Sequence, residues 1–284
     1  MFSKILIANR GEIALRIIRA CKEMGIATVA VYSQADRDAM HVSLADESYC
    51  IGPSPVAASY LNIGSILQIA VSTSSQAIHP GYGLLSENAK FAELCGECGI
   101  TFIGPSPDTI RKMGDKETAR RTMTAAGVPV VAGSGILENA QEALSEAERI
   151  GYPVMLKASN GGGGRGMRRC DTVEEVGVNF DLVKAEAKKA FGNDDIFMEK
   201  FLVEPKHIEV QILGDKHGNV VHLFERDCSL QRRYQKVVEF APAWSVPQET
   251  VEALRRDAVK IAKSVGYVSA GTVEFLVDKS GTQF

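Results

Sequence analysis

The chain has 284 residues, 45% of them hydrophobic and 24% charged, which suits a folded protein of about two domains and excludes a small stapled module or a disordered chain. Lys plus Arg number 32 against 35 for Asp plus Glu, a formal net charge of -3 with no overall basic footprint for nucleic acid. No run approaches the roughly 20 apolar residues that cross a bilayer and the apolar start is too short for a signal core, so the expectation is a cytoplasmic protein with no membrane partner.

Ile5 to Ala8 reads as a buried strand and Asn9-Arg10-Gly11 as a turn. Ala14, Ile17, Ile18 and Cys21 follow the i, i+3, i+4, i+7 spacing of a helix that Gly25 ends, and Ala27 to Tyr32 is a second strand. The spacing then predicts a helix over 59–71, a short strand at Ala77-Ile78, the loop His79-Pro80-Gly81-Tyr82-Gly83, a helix over 86–98 and a strand at Thr101-Phe102-Ile103. Such βαβ alternation predicts an open, mostly parallel sheet with helices on both faces. The first βα turn carries one glycine where the dinucleotide fingerprint needs three, so NAD binding is not expected there. Six scattered cysteines read as reduced thiols; Cys95 and Cys98 form a CxxC with no second pair, which chance spacing explains better than zinc or redox chemistry.

A second pattern starts near Met113. Helices are predicted over 119–126 and 140–150, a strand over 153–157, a glycine-rich loop over 160–166, a helix over 173–190 and a short strand over 196–198. Ile208, Val210 and Ile212 then alternate with His207, Glu209 and Gln211, giving a strand whose polar face is either solvated or a site. The loop over 214–219 turns the chain into a return strand over 220–224. Gly271 to Val277 is a strand, Asp278 to Gly281 a turn, and Thr282-Gln283-Phe284 opens a return strand that stops, so the chain reads as cut in mid-hairpin.

The loudest chemical signal is Lys157-Ala-Ser-Asn-Gly-Gly-Gly-Gly-Arg165. Consecutive glycines cost about 0.5 to 1 kcal/mol each inside regular structure, so the segment is built to stay a loop. Its bare N–H groups suit a cradle for phosphate oxygens; a flexible linker is the alternative. No GK[ST] follows, and the lysine precedes the glycines, an order seen in ATP-grasp enzymes rather than P-loops. Together with Ile7-Ala-Asn-Arg-Gly-Glu-Ile-Ala14, Leu85-Ser-Glu-Asn88, Met113-Gly-Asp-Lys116, Met198-Glu-Lys200, Lys206-His-Ile-Glu-Val-Gln211, Glu225-Arg-Asp-Cys-Ser229, Gln235-Lys-Val-Val-Glu239 and Gly271-Thr-Val-Glu-Phe275, it makes the chain resemble biotin carboxylase over essentially its whole length. That family is the ATP-using component of acetyl-CoA carboxylase in fatty acid biosynthesis and of its acyl-CoA, pyruvate and urea relatives.

The resemblance implies an α/β fold: an N-terminal parallel-sheet, Rossmann-like (pre-ATP-grasp) domain over 1–112, then an ATP-grasp domain over 113–284. The latter would have its lid over about 130–203 and its body over 204–284, incomplete at the C-terminus. It implies a ligase in which bicarbonate attacks the γ-phosphate of ATP, with Mg²⁺ or Mn²⁺, to give carboxyphosphate and ADP before the carboxyl passes to N1 of biotin. The implied partners are a biotin carboxyl carrier protein or domain, a carboxyltransferase, and a second copy in a homodimer. Carried over by motif, Lys116, Lys157 and the lid glycines Gly162, Gly163 and Gly164 would hold phosphates, and Glu199, Lys200 and Leu202 would flank adenine. His207 and Gln231 would reach the ribose or nearby polar atoms, Lys236 would face bicarbonate or the transferred phosphoryl group, Arg233 would line the wall, and Glu274 would be one of two carboxylates on magnesium. Tyr234 departs from the family, which commonly has histidine there. The family's second magnesium carboxylate, its bicarbonate-handling arginine and glutamate and its C-terminal domain are not in this sequence, so the 284-residue chain alone is expected to show little biotin-dependent ATPase. Two alternatives are a non-catalytic ATP-binding or oligomerising fragment and another ATP-grasp ligase, such as a carbamoyl phosphate or purine enzyme.

Overall fold

A strand that is apolar at every position needs cover on both faces. In a computed structural model, which describes residues 1–114, 116–159, 166–232 and 235–284 apart from the side chains of 116, 117 and 191, the run near the N-terminus is such a stretch from Ile5 on. It forms β1 (Lys4–Ile7), followed by α1 (Gly11–Glu23), β2 (Ala27–Ser33), α2 (Met40–Leu44), β3 (Glu47–Gly52), α3 (Ile63–Ser72), β4 (Ala77–His79), α4 (Ala89–Glu97), β5 (Thr101–Phe102) and α5 (Pro107–Gly114). The strands make a parallel sheet in the order β3-β2-β1-β4-β5. Leu6 packs with Val29, Val31, Ile66, Ile78 and Phe91 on one face, while Ile5 and Ile7 pack with Ala14, Ile17, Ile18 and Cys21 on the other. Each of the Leu, Ile, Val and Phe side chains among them, fully buried, contributes about 1.5 to 3 kcal/mol.

The two helices expected over 59–71 and 86–98 start later, at Ile63 and Ala89, for a reason that apolar spacing does not carry. Asn62 and Asn88 accept the backbone N–H groups of Ser65 and Phe91, so each asparagine caps its helix and fixes the first turn after itself. The edge strand β3 has no apolar alternation to announce it, since Ser48, Tyr49 and Cys50 are exposed. Cys95 is on the buried face of α4 and Cys98 is exposed, and both are free thiols.

The strand order reverses between β1 and β4, and buried Asn9 ties the two loops that leave this point. Its Nδ2 donates to the carbonyls of Pro80 at 2.6 Å and Tyr82 at 2.8 Å, and its Oδ1 accepts from Arg10 N at 2.8 Å. Gly81 has φ +66, and a Cβ there would stand 2.8 Å from Asn9 Nδ2, so glycine is required on both grounds.

A second compact unit takes in most of the residues from Lys116 on. It opens with α6 (Lys116–Ala125) and α7 (Ala140–Ile150), and continues through β6 (Val154–Ala158), β7 (Met167–Cys170), α8 (Val173–Phe191) and β8 (Ile196–Lys200). The three strands form an antiparallel sheet, β7-β6-β8, whose apolar face packs against α7 and α8 through Ala143, Ala147, Leu156, Phe180, Val183 and Met198. β8 runs two residues beyond the expected end at Met198, because Lys200 pairs with Val154 and its N–H donates to Ala132 O at 2.7 Å.

The remainder is β9 (Lys206–Gly214), β10 (Val220–Arg232), β11 (Gln235–Phe240), α9 (Gln248–Ser264) and β12 (Ser269–Val277), in an antiparallel sheet ordered β11-β10-β9-β12. Ile208, Val210 and Ile212 are buried, leaving His207, Glu209 and Gln211 on the opposite face of β9. β10 does not end at Phe224 as expected; it passes a one-residue register shift between His222 and Glu225, with Phe224 at φ +66, and continues to Arg232. The return strand expected at Thr282–Phe284 is a turn instead: Asp278 Oδ1 accepts the N–H groups of Thr282 and Gln283 at 3.0 Å, and Asp278 N donates to Gln283 O. Among the described residues no helix is long and apolar enough to cross a membrane.

Asn9→Ala removes three hydrogen bonds and takes their donor from the carbonyls of Pro80 and Tyr82, a cost of about 2 kcal/mol. The expected outcome is a drop of that order in the native-state amide-exchange free energy of β1 and β4; unchanged protection there would show that the two loops hold without the tie.

Candidate functional site

The expected nucleotide residues fall into two groups within the second unit. On the antiparallel pair β6 and β8, Lys157 stands opposite Phe197 and Met155 opposite Glu199, so Lys157 and Glu199 are diagonal neighbours on one face. Their side chains form an ion pair, and Arg120 of α6 donates to the other Glu199 oxygen at 2.7 Å. Lys200 points elsewhere: its ammonium donates to the carbonyls of Gly151 at 2.9 Å and Tyr152 at 2.6 Å, at the C-terminal end of α7, where the helix dipole favours a cation. Leu202 is half-buried in the link between β8 and β9. Lys116 opens α6 with its side chain outside the described set, and Gly162, Gly163, Gly164, Arg233 and Tyr234 lie outside the described residues.

The second group lies on the polar face of the β11-β10-β9-β12 sheet. Lys236 of β11 lies across the sheet, its ammonium bonded to Glu209 of β9 and, at 2.7 Å, to Glu274 of β12. The Gln231 amide nitrogen donates to Cys228 O at 3.0 Å and to His207 Nδ1 at 2.8 Å. Nδ1 is therefore the acceptor and the ring proton sits on Nε2, which faces Glu274 Oε2 at 3.6 Å. Expected His207, Gln231, Lys236 and Glu274 thus form one constellation.

Glu209 and Arg226 complete it. Glu209 is only 4% exposed, and Arg226 holds it through Nε at 2.7 Å while its Nη1 reaches Gln211 Oε1 at 3.2 Å. Gln211 in turn donates to Gly271 O at 2.8 Å. The period-two pattern of β9 put Glu209 and Gln211 on the right face but said nothing of their depth. Arg120 and Arg226 gave no periodic signal, because each reaches its partner from a different element.

Burial would raise the Glu209 carboxyl, but its bonds to Lys236 and Arg226 outweigh that and hold it below the usual range. The Lys236 ammonium, which burial alone would lower, is raised by Glu209 and Glu274. The His207 and Lys236 contacts bring Glu274 down to about 2. Among the described residues, with Glu239 near Arg226 at 3.6 Å, three carboxylates face two cations, an excess of negative charge that suits a divalent ion at the half-exposed Glu274. Among the described residues, the donor atoms of Glu209, Cys228 and Glu239 also lie within 4.8 Å of one another. That trio does not fit a metal: Arg226 and Lys236 already engage Glu209, and burial pushes the Cys228 thiol up to about 11, away from the thiolate a metal needs.

Residues 1–110 match the family model for the biotin carboxylase N-terminal domain, and residues 115–284 match that for the carbamoyl-phosphate synthase L chain ATP-binding domain. The chain is 56% identical over 279 residues to biotin carboxylase 1 of Bacillus subtilis, covering 98% of this chain and 62% of that protein. It is 54% identical over 285 residues to the 2-oxoglutarate carboxylase small subunit of Hydrogenobacter thermophilus, covering 100% and 60%. Among solved structures it is similar to the Campylobacter jejuni biotin carboxylase–β-γ-ATP complex, with TM-score 0.94, 49% identity and coverage of 99% and 63%. The biotin carboxylase domain dimer of the Hydrogenobacter 2-oxoglutarate carboxylase, in complex with MgADP, ADP and bicarbonate, gives TM-score 0.93, 54% identity and coverage of 100% and 63%. The chain spans about three fifths of the length of these relatives.

Lys236→Met should move the Glu274 carboxyl up from about 2 towards its ordinary 4.5, as read by carboxyl NMR titration. Since the folded value lies below the ordinary one, the contacts of Glu274 stabilise the fold fully above pH 4.5 and are lost as pH falls towards 2. The substitution should therefore flatten the acid limb of stability over that window, and a Glu274 titration that stays near 2 would rule out Lys236 as a cause.

Proposed function

The chain belongs to the biotin carboxylase family, and from that membership we propose that the protein carboxylates biotin on a carrier protein with bicarbonate and ATP. Turnover is proposed for the whole protein, nucleotide binding for the residues described above. The observation that carries the reading is Lys236, a cation held flat across the body sheet between two ionised carboxylates, one of them, Glu274, half-exposed beside His207.

In the proposed reaction a bicarbonate oxygen forms a bond to the γ-phosphorus of ATP while the bond to the ADP oxygen breaks, giving carboxyphosphate. The carboxyl carbon then passes to N1 of biotin, N1 loses its proton, and inorganic phosphate leaves. Phosphoryl transfer depends mainly on positioning and on neutralising charge, which is what lysines on a polar face supply. Lys157, Lys116 and the lid glycines Gly162, Gly163 and Gly164 bind phosphate oxygens, and the backbone around Glu199, Lys200 and Leu202 flanks the adenine. His207 and Gln231, fixed to each other at 2.8 Å, reach the ribose or nearby polar atoms. Lys236 orients bicarbonate against the transferred phosphoryl group, with Arg233 on the wall of the site. Glu274 provides hard oxygen ligands for Mg²⁺ or Mn²⁺, and the ion, when bound, supplies charge neutralisation at the phosphates.

The partners that follow are a biotin carboxyl carrier, a carboxyltransferase that uses the product, and a second copy of the chain, the last supported by the dimer of the Hydrogenobacter relative. The carbamoyl phosphate alternative shares the ATP-binding domain, but residues 1–110 match the biotin carboxylase model.

MgATP should bind with a dissociation constant below millimolar by calorimetry, and Lys157→Gln should weaken it about tenfold, the loss of one charge-assisted phosphate contact. With free biotin or carrier, ADP release should require bicarbonate, and Lys236→Met should lower kcat by about 100-fold or more. ATP turnover indifferent to bicarbonate and biotin would sink the reading.

A further inference from the structure

Three charged side chains meet on the lid: Arg120 of α6, Lys157 of β6 and Glu199 of β8. They are 23%, 27% and 22% exposed, a depth at which unpairing a charge costs more than on the open surface. One carboxylate serves two cations, so the trio carries one surplus positive charge. The two cations are not held alike. Arg120 Nη2 donates to Glu199 Oε1 at 2.7 Å and its Nη1 to Ser134 O at 2.9 Å. Ser134 is itself fixed to β8, its N–H donating to Met198 O and its hydroxyl accepting from Met198 N, both at 2.9 Å. Gly133 leaves the room: a Cβ there would lie 2.4 Å from Arg120 Nη1. Lys157, by contrast, has a flexible stem and a point charge whose one partner among the described residues is Glu199.

We propose that Arg120 is a positioning residue that keeps Glu199 neutralised while the Lys157 ammonium leaves it for a nucleotide phosphate. The inference rests on the reading of Lys157 as a phosphate ligand. Without Arg120, moving Lys157 to phosphate strands a partly buried carboxylate, and that cost falls on phosphate binding alone. Contacts to adenine and ribose do not require the exchange. Arg120 therefore acts on the phosphate share of affinity, and Glu199 opposes it: with the carboxylate removed, Lys157 is released in advance.

The test compares ADP with adenosine, by calorimetry, in the native protein and its variants. The ratio of the adenosine to the ADP dissociation constant isolates the phosphate share. Arg120→Gln should lower that ratio about fivefold to tenfold, the weak end of what an unpaired charge costs once solvent screening is allowed for. Glu199→Gln should raise it, and the double variant should follow Glu199→Gln rather than Arg120→Gln. Arg120→Lys, which keeps the charge with less risk to folding, should retain most of the ratio. A purely structural Arg120 would weaken both ligands together, leave the ratio unchanged and gain nothing from Glu199→Gln, and that pattern overturns the proposal. The two readings fail separately: a folded native protein that binds no ADP overturns the functional reading and this inference with it. ADP binding that depends on Lys157 but shows an unchanged ratio in Arg120→Gln and Glu199→Gln overturns this inference alone.

Discussion

A carboxylate taken out of water must be met by charge, and Glu209 is the place where this protein imposes that demand. Almost wholly buried on β9, it draws Arg226 from β10 and Lys236 from β11 onto one point of the sheet. Lys236 can satisfy Glu209 only by lying across β10, and that posture carries its ammonium to Glu274. Through Glu274 the network reaches His207, and through Gln231 it returns to the backbone of β10. The polar face is therefore cross-linked before any ligand arrives, an order that lowers the entropy lost when a substrate is held there.

The lid and the body solve the same problem with different stiffness. In the body, Glu209 is held from β10 and β11 and Lys236 from β9 and β12, so neither can turn without disturbing the other. In the lid, the core of α7, α8 and the β7-β6-β8 sheet fixes where Lys157 and Glu199 leave the backbone, and among the described residues a single ion pair fixes where the lysine ends. A rigid face and a separate adjustable cation are what a site needs if one part must orient a small anion and another must follow a phosphate chain.

Much of the architecture was legible in the sequence because it is a matter of period. The apolar run of β1, the alternation of β9 and the amphipathic spacing of α1 and α7 each announce a face, and the faces imply the layers. What was not legible depends on single side-chain contacts or on depth. Helix starts at Ile63 and Ala89 hinge on an asparagine oxygen. The edge strand β3 is polar and pairs through its backbone, so its pattern looks like loop. In the site, motif resemblance named Lys157, His207, Gln231, Lys236 and Glu274, yet it did not reveal that Lys157 and Glu199 are paired with each other. Nor could alternation separate a solvated Glu209 from a buried one, since both occupy the same parity.

Parity also gives the register shift in β10 its meaning. Before the shift, His222 faces Ile212; after it, Arg226 faces Glu209 and Glu225 faces Val210. Were the two strands to keep the first register, Glu225 would stand opposite Glu209, two carboxylates on one face, and Arg226 would be turned towards α9. The single extra residue exchanges those fates: Glu225 turns to the helix side, where Arg255 of α9 meets it, and Arg226 turns to the site. The bulge at Phe224 thus works as a frame shift written in backbone, deciding which of two adjacent, oppositely charged residues belongs to the chemistry and which to the scaffold.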